Sequence, residues 1–338
     1  MIYLGGKCKH MIRQAYVSHP PVTYVSRGKA QLCHFIGQVP GDNRKPYIQE
    51  IEHVLYTPRL SKNYAAMLKQ APRVEREFHS KNCKGVFVFS DSSLRQISDH
   101  IDTTGIEKKL HIVLPAYPDQ PDNPHKHSGP FTILTISNKF WGRGIPLAIE
   151  VFRELRKKHG KAIRMRLVCN DVPADYALPK GIELIRVKNL DSRPRQTLYR
   201  EANVFLLLGL MQFGVVLEAM AYGVPTVSTP NFDRGGWIVR GVTGFTVKPP
   251  LWHYGEGFGT EWKTWDEFCE VVKIRLDYGV LSYMITEAVE HIELLMDSPA
   301  LLKQMGQAAQ KQQRTKHSFK ARNKQVRKIY SDILKGIS

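Results

Sequence analysis

The chain has 338 residues, 42% of them hydrophobic and 24% charged. That is enough apolar material for two domains of about 150 residues each, and it excludes a generally disordered chain. Lys and Arg number 49 against 31 Asp and Glu, a formal net charge of +18, so the surface suits polyanions: nucleic acid, anionic lipid headgroups or phosphorylated substrates. Five scattered cysteines (Cys8, Cys33, Cys83, Cys169, Cys269) without a Cys-x-x-Cys pair argue against a disulfide framework and a structural zinc site.

In chain order, residues 1–7 read as neither a secretory signal nor a transit peptide. No run approaches the ~20 apolar residues of a membrane-spanning helix. The expected location is therefore cytoplasmic, with peripheral contact at a membrane as an extension. Segments 22–26, 31–36, 47–51 and 85–90 have strand composition, 92–101 a helical pattern, and 110–115 that of another strand. Residues 116–129 are rich in Pro, Asn and Asp without periodicity, which marks an interdomain linker. His125 and His127 fall in it and read as linker rather than metal ligands.

The second half is more regular. The β-branched run 131–137 suits a buried parallel strand. A polar, glycine-containing turn over 138–144 and a helix over 145–158 follow. Strands at 164–169, 182–187, 204–208 and 224–228 then alternate with helices at 195–202 and 215–222, the latter stopped by Gly223. Such alternation implies a doubly wound parallel sheet. An aromatic, glycine-rich loop over 251–259 precedes helices at 265–276, 283–296, 298–316 and 318–334. From Lys311 to Lys335 the only acid is Asp332; this basic stretch is either a solvated helix face or part of a polyanion-binding surface.

The chemistry concentrates in 213–225, where a strand ends, a loop turns at Gly214 and a helix opens toward the strand ends. Unpaired amides and the helix dipole at such an opening favour a phosphate. Glu218 lies about one turn in, within reach of a ribose hydroxyl pair. By spacing alone, an exposed surface glutamate remains the alternative.

Residues 213–225, with Thr243-Gly244-Phe245 downstream, resemble the nucleotide-sugar-binding half of retaining GT-B glycosyltransferases of the family 4 type. Arg143-Gly144 after the 131–137 strand, Leu198-Tyr199 and Ala202-Asn203-Val204-Phe205 fall in family order, as do 302–309, Phe319 and Tyr330. The resemblance covers 131–249 and the terminal helices, and extends to 85–118. It implies an α/β fold of two Rossmann-like doubly wound parallel-sheet domains with C-terminal helices. The expected domains are an acceptor-side domain over 1–120, a nucleotide-sugar domain over 130–315, and a helix at 316–338 packing back on the first.

The resemblance further implies transfer of a sugar from a UDP or GDP type donor to a glycan, lipid-linked or other acceptor, with retention and without a metal or other cofactor. The leaving diphosphate would be neutralised by cations and helix-terminal amides. On this reading Arg143 and Gly144, together with Phe213, Gly214, Val215 and Glu218, bind the donor. Arg143, Lys139 and His53 serve catalysis, and Gly5-Gly6 forms the loop where acceptor and diphosphate meet.

Three departures stand out. The family pairs two glutamates, but Leu210 or Met211 occupies the first position, with Gln212 the nearest polar stand-in. Gly235-Gly236 falls out of register with the glycine pair expected before Thr243, and the first lobe is short. In the first lobe Glu50 and Glu52 share a strand face, as a solvated pair or an acid/base pair. Partners expected are a nucleotide sugar, its acceptor and an anionic membrane surface, with nucleic acid ranked below them. The rival reading is a catalytically impaired GT-B-like protein that binds a polyanion through its basic surface. A dehydrogenase is set aside because no Gly-x-Gly-x-x-Gly follows a strand.

Overall fold

The structure is a computed structural model that describes residues 31–36, 45–51, 64–122, 129–186, 192–209, 213–230, 237–248, 265–277 and 279–336. The strands are β1 (Cys33–Ile36), β2 (Tyr47–Ile51), β3 (Cys83–Val88), β4 (Leu110–Ile112), β5 (Phe131–Ile136), β6 (Ile163–Val168), β7 (Ile182–Ile185), β8 (Val204–Leu207), β9 (Thr226–Ser228) and β10 (Gly244–Thr246). The helices are α1 (Tyr64–His79), α2 (Asp91–Ser98), α3 (Ile145–His159), α4 (Ser192–Arg200), α5 (Phe213–Ala221), α6 (Trp265–Asp277), α7 (Ser282–Asp297), α8 (Pro299–Lys316) and α9 (Phe319–Lys335). They form two compact units, Met1–Pro115 with Phe319–Ser338, and Ala116–Ser318. Two parallel sheets with flanking helices give the α/β class that the alternating pattern implied.

The first unit is a four-stranded parallel sheet in the order β1-β2-β3-β4. Alternation along its strands sends Tyr47, Ile51, Val86 and Val88 to one face, where they pack with Val74 and Phe78 of α1 and Ile97 of α2. Ile48 and Phe87 point the other way and pack with Val326, Ile329, Tyr330 and Ile333 of α9. This division follows from the two-residue side-chain period of a strand. Helix α1 escaped the sequence pattern because Pro72 interrupts it and proline reads as a helix breaker. Ser90, which caps α2 by accepting from the Ser93 amide, explains that helix's start.

The second unit is a six-stranded parallel sheet in the order β10-β9-β8-β5-β6-β7. Its core gathers Ile133, Val204 and Leu206 of the sheet with Leu147, Phe152, Ile292 and Met305 of the helices. Asn203 accepts the Thr132 amide at 2.7 Å through its side chain, and its own amide donates to Thr132 O at 2.9 Å, fixing β8 against β5 where both begin.

The segment read as a linker is not loose over its described part. Tyr117 bridges Ser318, and its amide donates to His317 O. Gln313 donates to Tyr117 O, Gln310 to Pro121 O and Arg314 to Gln120 O, and Arg314 pairs with Asp122 at 2.7 Å. Helix α8 thus satisfies the backbone of a stretch whose composition reads as loop, which periodicity cannot reveal. The expected strand at 22–26, the loop at 251–259 and Gly235-Gly236 lie outside the described residues. Among the described residues no helix is long and apolar enough to cross a membrane.

Candidate functional site

In the second unit the order of strands reverses between β5 and β8: β6 and β7 extend from one, β9 and β10 from the other. Loops leaving two such neighbours diverge, and the crevice at their carboxyl ends is where open α/β sheets bind ligands. The turn 138–144 leaves β5 and the turn after Leu208 leaves β8, so Lys139, Arg143, Gly144 and the start of α5 collect at this edge.

Backbone approach holds the two turns together. A Cβ on Gly209 would stand 2.0 Å from the carbonyl carbon of Arg143, and one on Gly144 2.4 Å from that of Leu208. Gly144 also has φ +68, a left-handed conformation that L side chains rarely adopt. Hydroxyls lock the strand ends beneath. Thr135 donates to Leu206 O at 2.9 Å, Ser228 to Leu207 O at 2.6 Å and Thr229 to Gly209 O at 2.8 Å. On the β5 side, Phe140 and Trp141 pack edge-on with Tyr176, so the turn that carries Arg143 rests on an aromatic floor.

Helix α5 opens beside these turns with Gly214 exposed. The first amides of any helix lack intrahelical partners, and here they belong to Phe213, Gly214 and Val215. Lys139 is exposed on the neighbouring turn, and Arg143 is half-buried between the two.

Glu218 is 7% exposed rather than a surface side chain. Arg195 of α4 donates to its Oε2 through Nε at 2.6 Å and Nη2 at 2.5 Å. The hydroxyls of Tyr199 and Tyr117 lie near the carboxylate and favour its charged form. Tyr199 reaches Val215 O in the first turn of α5 at 3.2 Å and stacks on Tyr222 with ring centroids 5.5 Å apart. Burial pushes the Glu218 carboxyl above the usual carboxylate range, and Arg195, Tyr199 and Tyr117 take back part of that shift. Arg195 was invisible to sequence reasoning because its partner lies on another helix. Leu198-Tyr199, one turn further along α4, was the only available pointer.

The pair carries a pH signature. A carboxyl whose folded pKa is raised stabilises the fold below its unfolded pKa and loses that contribution as pH rises through the folded one. Arg195→Ala removes the opposing charge and raises Glu218 further. The variant is therefore expected to lose more melting temperature than the parent chain as pH rises from the carboxylate range toward neutral. Parallel thermal melts check this, and identical pH slopes would contradict it.

The other candidates are placed differently. Glu50 is 5% exposed and paired rather than solvated. Arg322 of α9 lies 2.7 Å from its Oε2, and His34 Nε2 lies 3.2 Å from the same atom. His34 Nδ1 in turn contacts the Tyr330 hydroxyl. The acid/base reading of Glu50 is thus replaced by an internal tie to α9. Glu52, His53, Gly5, Gly6, Leu210, Met211 and Gln212 lie outside the described residues. Among the described residues no three His, Cys, Asp or Glu side chains group as a metal site.

Residues 130–251 match the family model described as Glycosyl transferases group 1. This span holds Arg143, Gly144, Arg195, Gly214 and Glu218, so the match coincides with the edge built above. No curated protein matches the sequence. Among solved structures, the chain resembles sucrose-phosphate synthase from Thermosynechococcus elongatus, with TM-score 0.62, 12% identity and coverage of 90% of this chain and 74% of that one. A glycosyltransferase from Rickettsia africae gives TM-score 0.61 at 12% identity, over 98% and 89% of the two chains. Staphylococcus aureus TarM, solved with fondaparinux, α-GlcNAc-glycerol and UDP, gives 0.59 at 13% identity, over 86% and 52%. The chain therefore spans about half the length of TarM. At such identities the likeness shows the fold, which is GT-B-like, and leaves chemistry to the site.

Proposed function

We propose that this chain is a glycosyltransferase that takes a sugar from a nucleoside diphosphate sugar of the UDP or GDP type. The observation that carries the reading is the convergence of Arg143, the Gly144–Gly209 contact and the opening of α5 at the strand-order reversal, within the span that matches the group 1 model. The amides of Phe213, Gly214 and Val215 and the guanidinium of Arg143 bind the diphosphate. They neutralise the charge that grows on it as the glycosidic bond breaks, a stabilisation worth most where water is excluded. Lys139 adds a second cation from the same turn. Glu218, oriented by Arg195 and Tyr199, receives the ribose hydroxyls on whatever face of the carboxylate a ligand reaches.

The transfer is of the family 4 type, with retention and independent of a metal, the protein's cations and amides taking that part. The acceptor is a glycan, a lipid-linked molecule or another hydroxyl-bearing compound; Gly5-Gly6 remains the candidate loop where it meets the diphosphate, and His53 the candidate contact to the donor sugar. A GT-B-like protein without transfer activity is the second reading, favoured by Leu210 and Met211 where the family carries a carboxylate.

A ligand that binds only the native state raises its melting temperature. UDP or GDP, and one of their sugars, are expected to do so for the full chain. Arg143→Ala and Glu218→Ala should each lower the affinity at least about tenfold, a loss of about 1.4 kcal/mol. Calorimetry with no heat for any nucleoside diphosphate would overturn the reading, and unchanged affinity in both variants would overturn the site. Release of free sugar or its transfer, followed by chromatography, separates the active from the inactive version.

A further inference from the structure

The mechanism leaves the basic carboxy-terminal helix unused. Helix α9 covers one face of the first unit's sheet, with Val326, Ile329, Tyr330 and Ile333 in the packing and Arg322 on Glu50. At about 100° per residue these side chains occupy an arc of about 100°. Lys320, Lys324, Arg327 and Lys328 occupy a second arc of similar width on the opposite side, and all four are exposed. Among the described residues none of the four pairs with an acid. The one acid of the helix, Asp332, stands at the flank of the arc.

The four cations thus project from one side of a helix pinned along its other side, over about 12 Å of its length. Buried anchors fix the helix, so the cations meet a partner as a flat, preset group.

We propose that this outer face of α9 docks the protein on an anionic lipid surface. Charge complementarity selects an anion. The three lysines act as compact point charges, which attract an anion without reading a base sequence, and the arginine adds a fourth positive charge. A single-stranded nucleic acid also asks for aromatic platforms, and the outward arc carries none. A duplex is entered by a helix that projects into the groove, whereas α9 is held along one side against the sheet. Val326, Ile329, Tyr330 and Ile333 are already spent on the sheet and the outward arc is charged, so the attachment is electrostatic, reversible and salt-sensitive. This goes beyond the proposed transfer activity and stands or falls independently of it.

The test is co-sedimentation of the full chain with vesicles of phosphatidylcholine alone and of phosphatidylcholine with phosphatidylglycerol. Binding is expected only to the anionic vesicles, weakening as salt rises. Each cation near such a surface contributes about fivefold to partitioning. Reversing all four (K320E, K324E, R327E, K328E) should therefore reduce binding at least about tenfold.

A matched variant, R76E, K81E, R95E and K108E, makes the same change in net charge at four other exposed positions of the first unit. It should keep vesicle binding within about twofold of the parent chain. Unchanged thermal melts show that both variants remain folded. Equal loss in the two variants would assign the attraction to net charge and overturn the proposal. So would binding to neutral vesicles as strong as to anionic ones, or a stripe variant that loses affinity for duplex DNA or single-stranded RNA but keeps vesicle binding.

Discussion

Gly209→Ala is expected to destabilise the second unit by about 3 kcal/mol or more and to abolish nucleotide binding. The added methyl would stand 2.0 Å from the carbonyl carbon of Arg143 and 2.4 Å from both the Arg143 oxygen and the Gly144 nitrogen. All three are backbone atoms, so no side-chain rotation relieves the clash and the two turns must separate. Hydroxyl bonds from Ser228 and Thr229 tether the β8 end, and the aromatic packing of Phe140 and Trp141 tethers the other turn. Separation therefore spreads strain into both cores. Gly144→Ala meets Leu208 at 2.4 Å and adds the cost of a left-handed φ. Gly214→Ala is the control on the same edge, since a Cβ there meets nothing within 4 Å among the described residues. Urea denaturation and nucleotide calorimetry on the three variants check the ranking. A Gly209→Ala protein as stable as the control would show that the turns are not in contact.

Arg322→Ala is expected to cost about 3–5 kcal/mol, because it leaves the Glu50 carboxylate buried without its counter-charge. The guanidinium does more than pair: it also donates to the carbonyls of Val113 and Leu114 at 3.1 and 2.8 Å. Helix α9 is thereby bound to the ends of two strands of the sheet it covers. Removal of Arg322 should release the helix before the sheet unfolds, read as faster amide exchange over 319–335.

The same site fixes an acid limb. Burial alone would raise the Glu50 carboxyl, but the His34 and Arg322 contacts outweigh it and hold the group below its ordinary value. A carboxyl with a lowered folded pKa contributes stability above its unfolded pKa and loses it as pH falls through the folded value. The parent chain should therefore lose stability on acidification through the carboxylate range. Glu50→Gln should be less stable at neutral pH and show a flatter acid limb. An acid limb unchanged by Glu50→Gln would remove this group from the account.

How much of this was legible follows from range. Most strands of the second unit announced themselves as short apolar runs bounded by turn residues, a pattern local to a few positions, whereas Gly244–Thr246 carries no such run and does not read as a strand. The helix over 299–316 was readable from Ser298-Pro299, where Ser298 indeed accepts the Leu301 amide. The helix opening could be found because strand, turn and helix are consecutive, although Gly214, read as the turn, is the second residue of α5. Arg195 could not: it meets Glu218 across 23 residues, and Leu198-Tyr199 marks its helix without singling out the arginine. The fate of Glu50 was equally hidden, since Arg322 lies 272 positions away.

The sequence alone determined the two-sheet α/β class, the alternation of strand and helix over most of the second unit and the helix that opens after Leu208. All of these rest on periodicity, caps and turn residues that act over one element or one turn. Tertiary structure alone decided that Glu218 is clasped by Arg195, that Glu50 binds α9 rather than water, and that Gly144 and Gly209 must be glycines. It also decided that residues 117–122 lie strapped to α8 instead of running free. These outcomes depend on which backbone and which charge arrive from a distant part of the chain, and burial then fixes each partner by making an unpaired charge or a misplaced methyl too costly to keep.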